Sequence, residues 1–412
     1  MNSAPLPRPF HGLAWANLAA QSAEQVSLAA VPIVAVLALG AGPGEIGTLS
    51  AVQTLPFLLL SIPAGLLADR WSRRRLMVLA EVLRALSLLG LLVATATGHL
   101  SIGVLALLGF VGATGTVGFS VAAPAMVPTL VPRESLAAAN GRLELARSGA
   151  FAGGPALAGA LVAWAGAPSA FVLATLLSAA AVALLLRLPE PSRGAPPEHH
   201  VWHDLRLGAL FVWQHQLLRP ILLTAVAWNL AWFVLQAVYV PYAMKQLGLD
   251  ASAVGVTLAC YGAGMVFGAV MAPRLLRSVP FGRAVALGPF TSVVASLVMV
   301  ATLLQPGFAL AATSFFLFGA GPIIWTITQT TLRQTVTPGA RLGQVSAIFL
   351  TVNTGARPLG AALGGAVGET FGTAACLWLA AAGFLVQAMI IATSPVFRLK
   401  TLPASHHPTA PP

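Results

Sequence analysis

Residues 65–75 read GLLADRWSRRR, which places one acid and four arginines between two long apolar segments. A charge cluster of this density is costly inside a hydrocarbon layer and is accommodated readily at a bilayer surface. The flanking segments, at residues 46–68 and 75–97, are each long enough to cross a membrane. The stretch therefore predicts a tight turn at a membrane surface, between two spanning helices.

The composition places the rest of the chain in a membrane as well. The protein has 412 residues, of which 57% are hydrophobic and only 8% are charged, whereas a soluble protein of this length needs far more charge to cover its surface. The apolar runs do not alternate every second residue, so they predict helices rather than barrel strands. We predict an all-α membrane protein with twelve transmembrane helices. The predicted spans are residues 13–39, 46–68, 75–97, 101–127, 138–164, 168–188, 219–246, 251–276, 281–304, 307–335, 342–366 and 371–394.

Positive charge is distributed unevenly among the predicted turns. With both termini inside, Lys245 is the only Lys or Arg of these turns that falls on the external side. This asymmetry is the positive-inside rule, and it predicts a multi-pass protein of a bacterial-type inner (cell) membrane with both termini cytoplasmic. A basic cytoplasmic face meets anionic lipid head groups, so membrane lipid explains the net charge of +11 and nucleic acid is not expected as a partner.

We expect no metal site and no cofactor. Cys260 and Cys376 lie inside apolar spans, where a cysteine is more often a small buried residue than a ligand. Histidines 199, 200 and 203 lie in a polar stretch without an acid or cysteine at ligand spacing, and a solvated loop explains them. The sequence also lacks the Gly-rich loop with its Lys that would bind ATP.

The longest polar stretch divides the chain into two similar parts. We predict an N-terminal six-helix bundle at residues 1–188, a cytoplasmic linker at 189–206, and a C-terminal six-helix bundle with a short cytoplasmic tail at 207–412. Residues 129–132 read TLVP and residues 335–338 read TVTP, at equivalent places in the two parts. Parallel repeats of this kind form carriers that rock about a central site.

The charged turn resembles the loop between helices 2 and 3 that marks the major facilitator superfamily. The pattern of that loop is Gly-x-Leu-Ala-Asp-Arg-x-Gly-Arg-Arg, and only Ser72 departs from it, at the second glycine. The resemblance implies two pseudo-symmetric six-helix bundles and a gate in which Asp69 meets the positive N-terminus of span 11. A cluster that only sets topology is the alternative. The predicted gating residues are Gly65, Asp69, Arg70, Arg73 and Arg74.

Two further segments resemble one branch of this superfamily, which contains enterobactin exporters and macrolide efflux pumps. They are residues 124–140, PAMVPTLVPRESLAAAN, and residues 153–159, GGPALAG. The second is similar to the Gly-Pro motif of helix 5 in antiporters of the superfamily, carried here by Gly154, Pro155 and Gly159, with Ala158 in place of one glycine. The resemblance implies a proton-driven carrier and favours export. Close helix packing is the structural interpretation of the same glycines.

Glu24 is the most informative single residue outside these motifs. It lies inside the first span, and positions 17, 21 and 24 share one helical face. An intramembrane carboxyl group is expensive and is expected to face the bundle interior, where it is a candidate for coupling transport to a proton or to a cationic substrate. A structural hydrogen-bonding role is the alternative.

Arg147 and Arg357 are the other deep charges, in spans 5 and 11. Either could pair with Glu24, receive an anionic substrate, or fix helix packing around the neighbouring prolines. We group them with Glu24 as candidate proton-coupling residues. The i, i+3 spacing of Glu81 with Arg84, and of Glu144 with Arg147, also allows neutralisation within one helix.

A second group of polar and aromatic residues predicts the substrate cavity. In the family that the chain resembles, helices 1, 4, 7 and 10 line this cavity. An aromatic cavity with few charges suits a bulky amphipathic ligand, although tryptophans at the membrane interface are an alternative. The predicted cavity residues are Asn17, Gln21, Asn229, Trp232, Gln236, Trp325 and Gln329.

These features together predict a carrier and not an enzyme, because no clustered nucleophile, base or metal set is present. The leading hypothesis is a monomeric secondary transporter that exports a drug-like small molecule or siderophore in exchange for protons by alternating access, a multidrug-resistance type of antiporter. An uptake or flipping carrier for a nutrient or lysolipid on the same fold is the alternative hypothesis.

Overall fold

The computed structural model describes residues 7–132, 135–190, 201–338 and 341–403, without the side chains of residues 66, 68–70, 137, 138 and 201–204. Within those ranges the chain is helical and contains no strand. The first half forms α1 (Arg8–Leu39), α2 (Pro43–Arg70), α3 (Arg73–Ala96), α4 (Ile102–Leu130), α5 (Leu136–Ala165) and α6 (Ala167–Leu186). The second half forms α7 (Val201–Gln214), α8 (Leu218–Lys245), α9 (Ala251–Ser278), α10 (Phe281–Ala301), α11 (Phe308–Val336) and α12 (Leu342–Thr393), followed by a 3-10 turn (Pro395–Arg398).

The helix α12 accounts for two membrane spans. Its 52 residues would extend for about 78 Å, more than twice the hydrocarbon thickness of a bilayer. The backbone of Gly372 has φ 82°, a left-handed conformation that breaks α12 into two helical segments. In the described chain, eleven helices are long and apolar enough to cross a membrane, and the break in α12 brings the spans to the twelve predicted from the sequence.

The short helix α7 was not predicted. It begins at Val201, inside the polar stretch that the sequence suggested as a linker, and its 14 residues are too few to cross a bilayer. One face of α7 is apolar, and Val212 is fully buried in a core shared with Val345 and Phe349 of α12. Arg341 also lies over the ring of Phe211, with its Cζ 5.3 Å from the ring centroid. This helix therefore belongs to the second half.

Ser72, the one departure from the family pattern in the charged turn, begins α3. Its Oγ accepts a hydrogen bond from the backbone N–H of Arg75 at 3.3 Å. Serine is a favoured N-cap because it satisfies one of the four N–H groups that a helix start leaves unpaired. The substitution therefore exchanges the flexibility of glycine for a stable start to α3.

The two halves meet along two seams, α2 against α12 and α5 against α9. A Cβ atom added to Gly47 would lie 2.8 Å from both the carbonyl oxygen of Ala361 and the backbone nitrogen of Gly365. A Cβ added to Gly255 would lie 2.5 Å from the carbonyl oxygen of Pro155. Backbones approach this closely only where side chains are absent, which is how helices pack in the absence of a hydrophobic driving force.

The buried core differs between the two ends of the bundle. At the end that carries the arginine-rich turns, here named the basic end, each half has its own core, one around Phe10 and Met126 and one around Ile221 and Phe349. At the opposite end, a single core includes side chains from both halves, such as Val34 and Tyr239. The halves are therefore fused at the opposite end and separate at the basic end.

Candidate functional site: a central cavity between the halves

A cavity of about 600 Å³ lies between the two halves, within the range of drug-sized ligand sites. Helices α1 to α5 form one wall, and helices α8, α9, α11 and α12 form the other. Four charged residues line it among the described side chains: Glu24, Arg84, Arg147 and Arg357. Since three of these four are arginines, the partner of each charge decides what the cavity can bind.

The wall from the first half contains a buried charge network around Arg84. The Arg84 Nη1 group forms an ion pair with Glu81 Oε1 at 2.7 Å and donates to the carbonyl oxygen of Ala20 at 3.0 Å. Its Nη2 group donates to Thr116 Oγ1 at 2.9 Å. Glu81 is fully buried and also accepts a hydrogen bond from Ser178 Oγ at 2.8 Å. The pairing of Glu81 with Arg84 that the sequence spacing suggested is therefore observed, and it ties α3 to α1, α4 and α6.

Glu24 lies at the cavity side of this network. Its Oε2 atom is 3.8 Å from Arg84 Nη2, longer than a hydrogen bond, and its side chain is 19% exposed. Arg84 already holds Glu81 at close range, so Glu24 is attached only loosely. Glu24 is thus an acid within the membrane that lies at the edge of the network without a hydrogen bond to Arg84.

Arg147 is matched by a carboxylate on its own helix. Its Nε donates to Glu144 Oε2 at 2.9 Å, and the Arg147 and Glu144 side chains are 35% and 53% exposed. The guanidinium also lies over Phe151, with its Cζ 5.4 Å from the ring centroid. The sequence allowed several partners for Arg147. In this geometry its charge is neutralised by Glu144, a carboxylate of the same helix.

Arg357 differs from the other two cavity arginines. Its Nε donates to Asn229 Oδ1 at 3.2 Å, and its Cζ lies 5.7 Å from the ring centroid of Phe57 and 5.8 Å from that of Phe233. Within the described part of the chain, it has no carboxylate at ion-pair distance. Arg357 is therefore held by an amide and two aromatic rings and faces the cavity with an unmatched charge.

The wall from the second half is mainly aromatic. Trp228 and Trp232 are stacked, with ring centroids 5.3 Å apart and an interplanar angle of 12°. Tyr261 lies 5.1 Å from Trp232, and Phe315 meets Trp232 edge to face at 5.8 Å. Such a wall presents a large, rigid apolar area to a ligand.

Five of the seven residues predicted for the cavity line it: Asn229, Trp232, Gln236, Trp325 and Gln329. Asn17 and Gln21 are not among the lining residues, and Asn17 instead donates to the Leu143 carbonyl oxygen at 3.4 Å, between α1 and α5. Four residues that were not predicted for the cavity also line it: Arg84, Asn353, Phe57 and Tyr261. Asn353 had a usable signal, because it lies one helical turn before Arg357. The two aromatic residues had none.

Two arginines of the charged turn bind carbonyl groups of their own half, and a third, Arg75, forms an ion pair with Glu190 at 3.3 Å. Arg73 Nη1 donates to the Ala125 carbonyl of α4 at 2.7 Å, and Arg74 Nη1 donates to the Leu188 carbonyl after α6 at 2.8 Å. A Cβ added to Gly65 would meet no described atom within 4 Å. The side chains of Asp69 and Arg70 lie outside the described residues, so the contact of Asp69 with the start of span 11 stays a prediction.

The glycines of the α5 motif bring that helix against both halves. A Cβ added to Gly154 would lie 2.5 Å from Gln25 Cβ of α1. A Cβ added to Gly159 would lie 2.8 Å from the Cα of Gly255 in α9. Pro155 lies between the two glycines and lines the cavity. The motif thus packs α5 closely against its own half on one side and against the partner half on the other.

Polar contacts join the halves at the end opposite the basic turns. Lys245 Nζ donates to the carbonyl oxygens of Gly40 and Ala41, at 2.8 and 3.0 Å, where α1 ends. The backbone N–H of Gly44 donates to Glu369 Oε2 at 3.3 Å, where α2 begins. A cation at a helix C-terminus and an anion at a helix N-terminus both complement the helix dipole. These contacts attach the end of α1 and the start of α2 to the second half.

Comparison with known proteins gives a consistent assignment. A sequence model of the Major Facilitator Superfamily matches residues 13–361. Enterobactin exporter EntS of Citrobacter koseri is 27% identical over 334 residues, which cover 79% of this chain and 77% of that protein. Enterobactin exporter EntS of Escherichia coli O1:K1 is 26% identical over 331 residues, with the same coverage.

Solved structures with the same fold include a bacterial homologue of the iron transporter ferroportin in an inward-facing state. It has a TM-score of 0.74 and 18% identity, and the match covers 94% of this chain and 98% of that one. A POT family transporter in complex with a thioalcohol-conjugated peptide has a TM-score of 0.78 and 12% identity, covering 95% and 97%. At these identities the likeness shows the fold alone.

Proposed function

Because the chain belongs to the Major Facilitator Superfamily, and is thus an integral multi-pass membrane transporter, we propose that it exports a small molecule in exchange for protons. Export would follow alternating access, with the central cavity exposed to one side of the membrane at a time. We place the protein in the bacterial inner membrane with the basic end and both termini in the cytoplasm, as the positive-inside rule requires.

The observation that carries proton coupling is the position of Glu24. It is a carboxyl group inside the membrane, it faces the central cavity, and its distance of 3.8 Å from Arg84 is too long for a hydrogen bond. Ionised residues at this depth are expensive and mark ion or proton pathways. Protonation of Glu24 would weaken its attraction to Arg84 without leaving that arginine unpaired, since Glu81 retains it at 2.7 Å.

The distribution of the core supports alternating access. The two halves have separate cores at the basic end and a shared core at the other. A carrier built from two rigid bundles changes state when one bundle rocks against the other around a fixed site. The glycine contacts along the α2–α12 and α5–α9 seams would be the surfaces on which this movement occurs.

Two observations support export rather than uptake. The relatives that cover most of the chain are named as enterobactin exporters, and Gly154, Pro155 and Gly159 resemble the α5 motif of antiporters. A siderophore or a drug-like molecule would fit the size of the cavity, at about 600 Å³.

The test compares the wild-type protein with Glu24→Gln and with the matched control Glu45→Gln. Glu45 caps α2 at Gly42 and is not among the cavity-lining residues, and glutamine can still accept that hydrogen bond. A compound panel in an efflux-deficient host would identify substrates from growth inhibition. Purified protein in liposomes containing a pH-sensitive dye would then report proton movement when a substrate is added.

We expect the wild type and Glu45→Gln to confer resistance and to move protons with substrate, and Glu24→Gln to do neither. Substrate-dependent proton movement by Glu24→Gln at the wild-type rate would disprove the role of Glu24. Accumulation of substrate in cells that express the wild type would instead indicate uptake.

A further inference from the structure

The unmatched charge of Arg357 bears on what the cavity binds. Arg84 and Arg147 each have a glutamate of their own helix within hydrogen-bond distance, at 2.7 and 2.9 Å. Arg357 donates one hydrogen bond, from Nε to Asn229. In the part of the chain that the structure describes, its two Nη groups donate to no other side chain or carbonyl. An arginine inside a membrane bundle is expensive unless an anion or several acceptors meet it.

Aromatic rings around Arg357 reduce the free-energy cost of placing it inside the bundle, but they do not neutralise its charge. Phe57 of the first half and Phe233 of the second half both lie within 6 Å of its Cζ, at 5.7 and 5.8 Å. Cation–π contacts of this kind orient a guanidinium and leave its outer edge free. That edge consists of two parallel N–H donors, which match the two oxygens of a carboxylate.

Three other residues that line the cavity carry unpaired polar atoms. Asn353 Oδ1, Gln329 Oε1 and Trp228 Nε1 are buried and have no hydrogen-bond partner among the described residues, and all three residues line the cavity. Asn353 lies one helical turn from Arg357 on α12. Buried polar groups without partners are rare and cost free energy, which a ligand that bonds to them recovers.

The aromatic pair Trp228 and Trp232 is adjacent to this polar group. These two residues directly precede Asn229 and Phe233, which contact Arg357. The stacked indoles, 5.3 Å apart, line the same cavity as Arg357 and offer it an apolar surface. This combination suits a ligand with an aromatic ring and an acidic group close to it.

We propose that Arg357 is the anion-binding residue of the cavity and that the transported substrate is an aromatic organic anion. The acidic group binds the Nη groups of Arg357, and the ring lies against Trp228 and Trp232. This inference rests on the proposed transport function and adds the class of substrate. Glu24, in the opposite wall, then moves the proton while Arg357 holds the substrate charge, so the two tasks belong to different halves.

The test measures equilibrium binding of three dansyl probes to purified protein in nanodiscs, without a proton gradient. Dansylglycine carries a carboxylate, dansylamide is neutral and dansylcadaverine is cationic, so they share one ring system and differ in charge. Energy transfer from tryptophan to the dansyl group reports binding. A charge-assisted hydrogen bond discriminates by about 10-fold or more, so we expect dansylglycine to bind at least about 10-fold more tightly than dansylamide, and dansylcadaverine more weakly still.

Arg357→Gln should bring the affinity ratio of dansylglycine to dansylamide to about one, and Arg357→Lys should retain part of the preference. The matched control is Arg333→Gln. Arg333 also lies over a phenylalanine, with its Cζ 4.9 Å from the ring centroid of Phe349, but it does not line the cavity. This control should keep the wild-type ratio. Size-exclusion profiles establish that each variant is folded.

Three results would overturn the proposal: no saturable binding of dansylglycine to the wild type, equal or tighter binding of dansylcadaverine, or a preference for the anion that survives in Arg357→Gln. The outcome is separable from that of the proposed function. Glu24→Gln should lose proton movement and keep the preference for dansylglycine, so failure of proton coupling leaves the anion site intact, and the reverse also holds.

Discussion

The two walls of the central cavity are built from different chemistry. The wall from the first half holds the titratable side chain Glu24 and, behind it, the network of Arg84 with the fully buried Glu81. The wall from the second half presents aromatic rings and one cation, Arg357, which has no carboxylate at ion-pair distance among the described residues. Both walls derive from similar six-helix bundles.

Under the proposed function, this difference corresponds to a division of labour within a duplicated architecture. A charge network is useful where protonation must change the state of the carrier, and its buried members also bind four helices of one half into a rigid unit. A rigid aromatic surface is useful where a ligand must gain contact area with little loss of side-chain entropy. Under the proposed function, rocking of the two halves would move the proton site and the ligand site relative to each other, which would couple the two.

The largest expected effect comes from removing the charge of Glu24. We expect Glu24→Gln to lower proton-driven transport at least about 100-fold, because a group that exchanges protons cannot be replaced by an amide. Binding of dansylglycine at equilibrium should persist. Transport in liposomes with an imposed pH gradient measures the first quantity, and the nanodisc assay measures the second. Loss of binding to the same extent as transport would show that the two walls do not divide these tasks.

The second prediction concerns stability of the charged wall. Glu81→Gln should destabilise the protein by about 3 kcal/mol, since one partner of a buried ion pair is removed. The matched control is Glu144→Gln, which alters a pair of the same i, i+3 spacing whose glutamate is 53% exposed, and which should change stability by less than about 1 kcal/mol. Thermal unfolding in detergent, followed by size-exclusion chromatography, compares them. Equal losses in the two variants would mean that burial does not distinguish the two pairs.

The third prediction concerns the aromatic wall. Trp232→Leu removes the ring that contacts Trp228, Tyr261 and Phe315, and we expect the affinity for dansyl probes to fall about 10-fold. Trp164→Leu is the control, because Trp164 is 90% exposed on the outside of the bundle. Proton release on saturating substrate should be unaffected in both. A loss of proton coupling in Trp232→Leu would contradict the assignment of proton transfer to the first wall and ligand binding to the second.

The smallest expected effect concerns the end at which the walls are joined. Lys245→Met removes two hydrogen bonds to carbonyl groups where α1 ends, and such partly exposed contacts are each worth less than about 1 kcal/mol. We expect a cysteine introduced at Leu49, in a protein without Cys260 and Cys376, to react about 3-fold faster with a maleimide added from the opposite end. Lys400→Met, at the basic end, should leave the rate unchanged. An unchanged rate in Lys245→Met would exclude Lys245 from closure of that end.

Much of the fold was predictable because its signals are local. The length of each apolar run follows from the thickness of the bilayer, and the pairing of Glu81 with Arg84 follows from helical spacing. The exception in the fold is α7, which lies in a polar stretch and acquires its structure by packing Val212 against Phe349, far away in the sequence. Predictions from local composition do not contain that contact.

The cavity was less predictable, since its lining depends on how helices are rotated and crossed. Gln236 and Trp325 reach the cavity whereas Asn17, on an equally polar helical face, packs against α5. Phe57 and Tyr261 resemble many other aromatic residues of the chain until their positions beside Arg357 and Trp232 are known.

The amino-acid sequence alone established that this chain crosses a membrane twelve times, that its basic turns share one face, and that acids and arginines lie within its spans. Hydrophobic length and charge are properties of short segments, so both can be read from the sequence without knowing which helices pack together. Tertiary structure alone decided which charges meet between different helices. Arg84 of α3 lies 3.8 Å from Glu24 of α1, and Arg357 of α12 donates a hydrogen bond to Asn229 of α8. Such pairings depend on distances of a few ångströms between helices that are far apart in the chain, and packing of the whole bundle sets those distances.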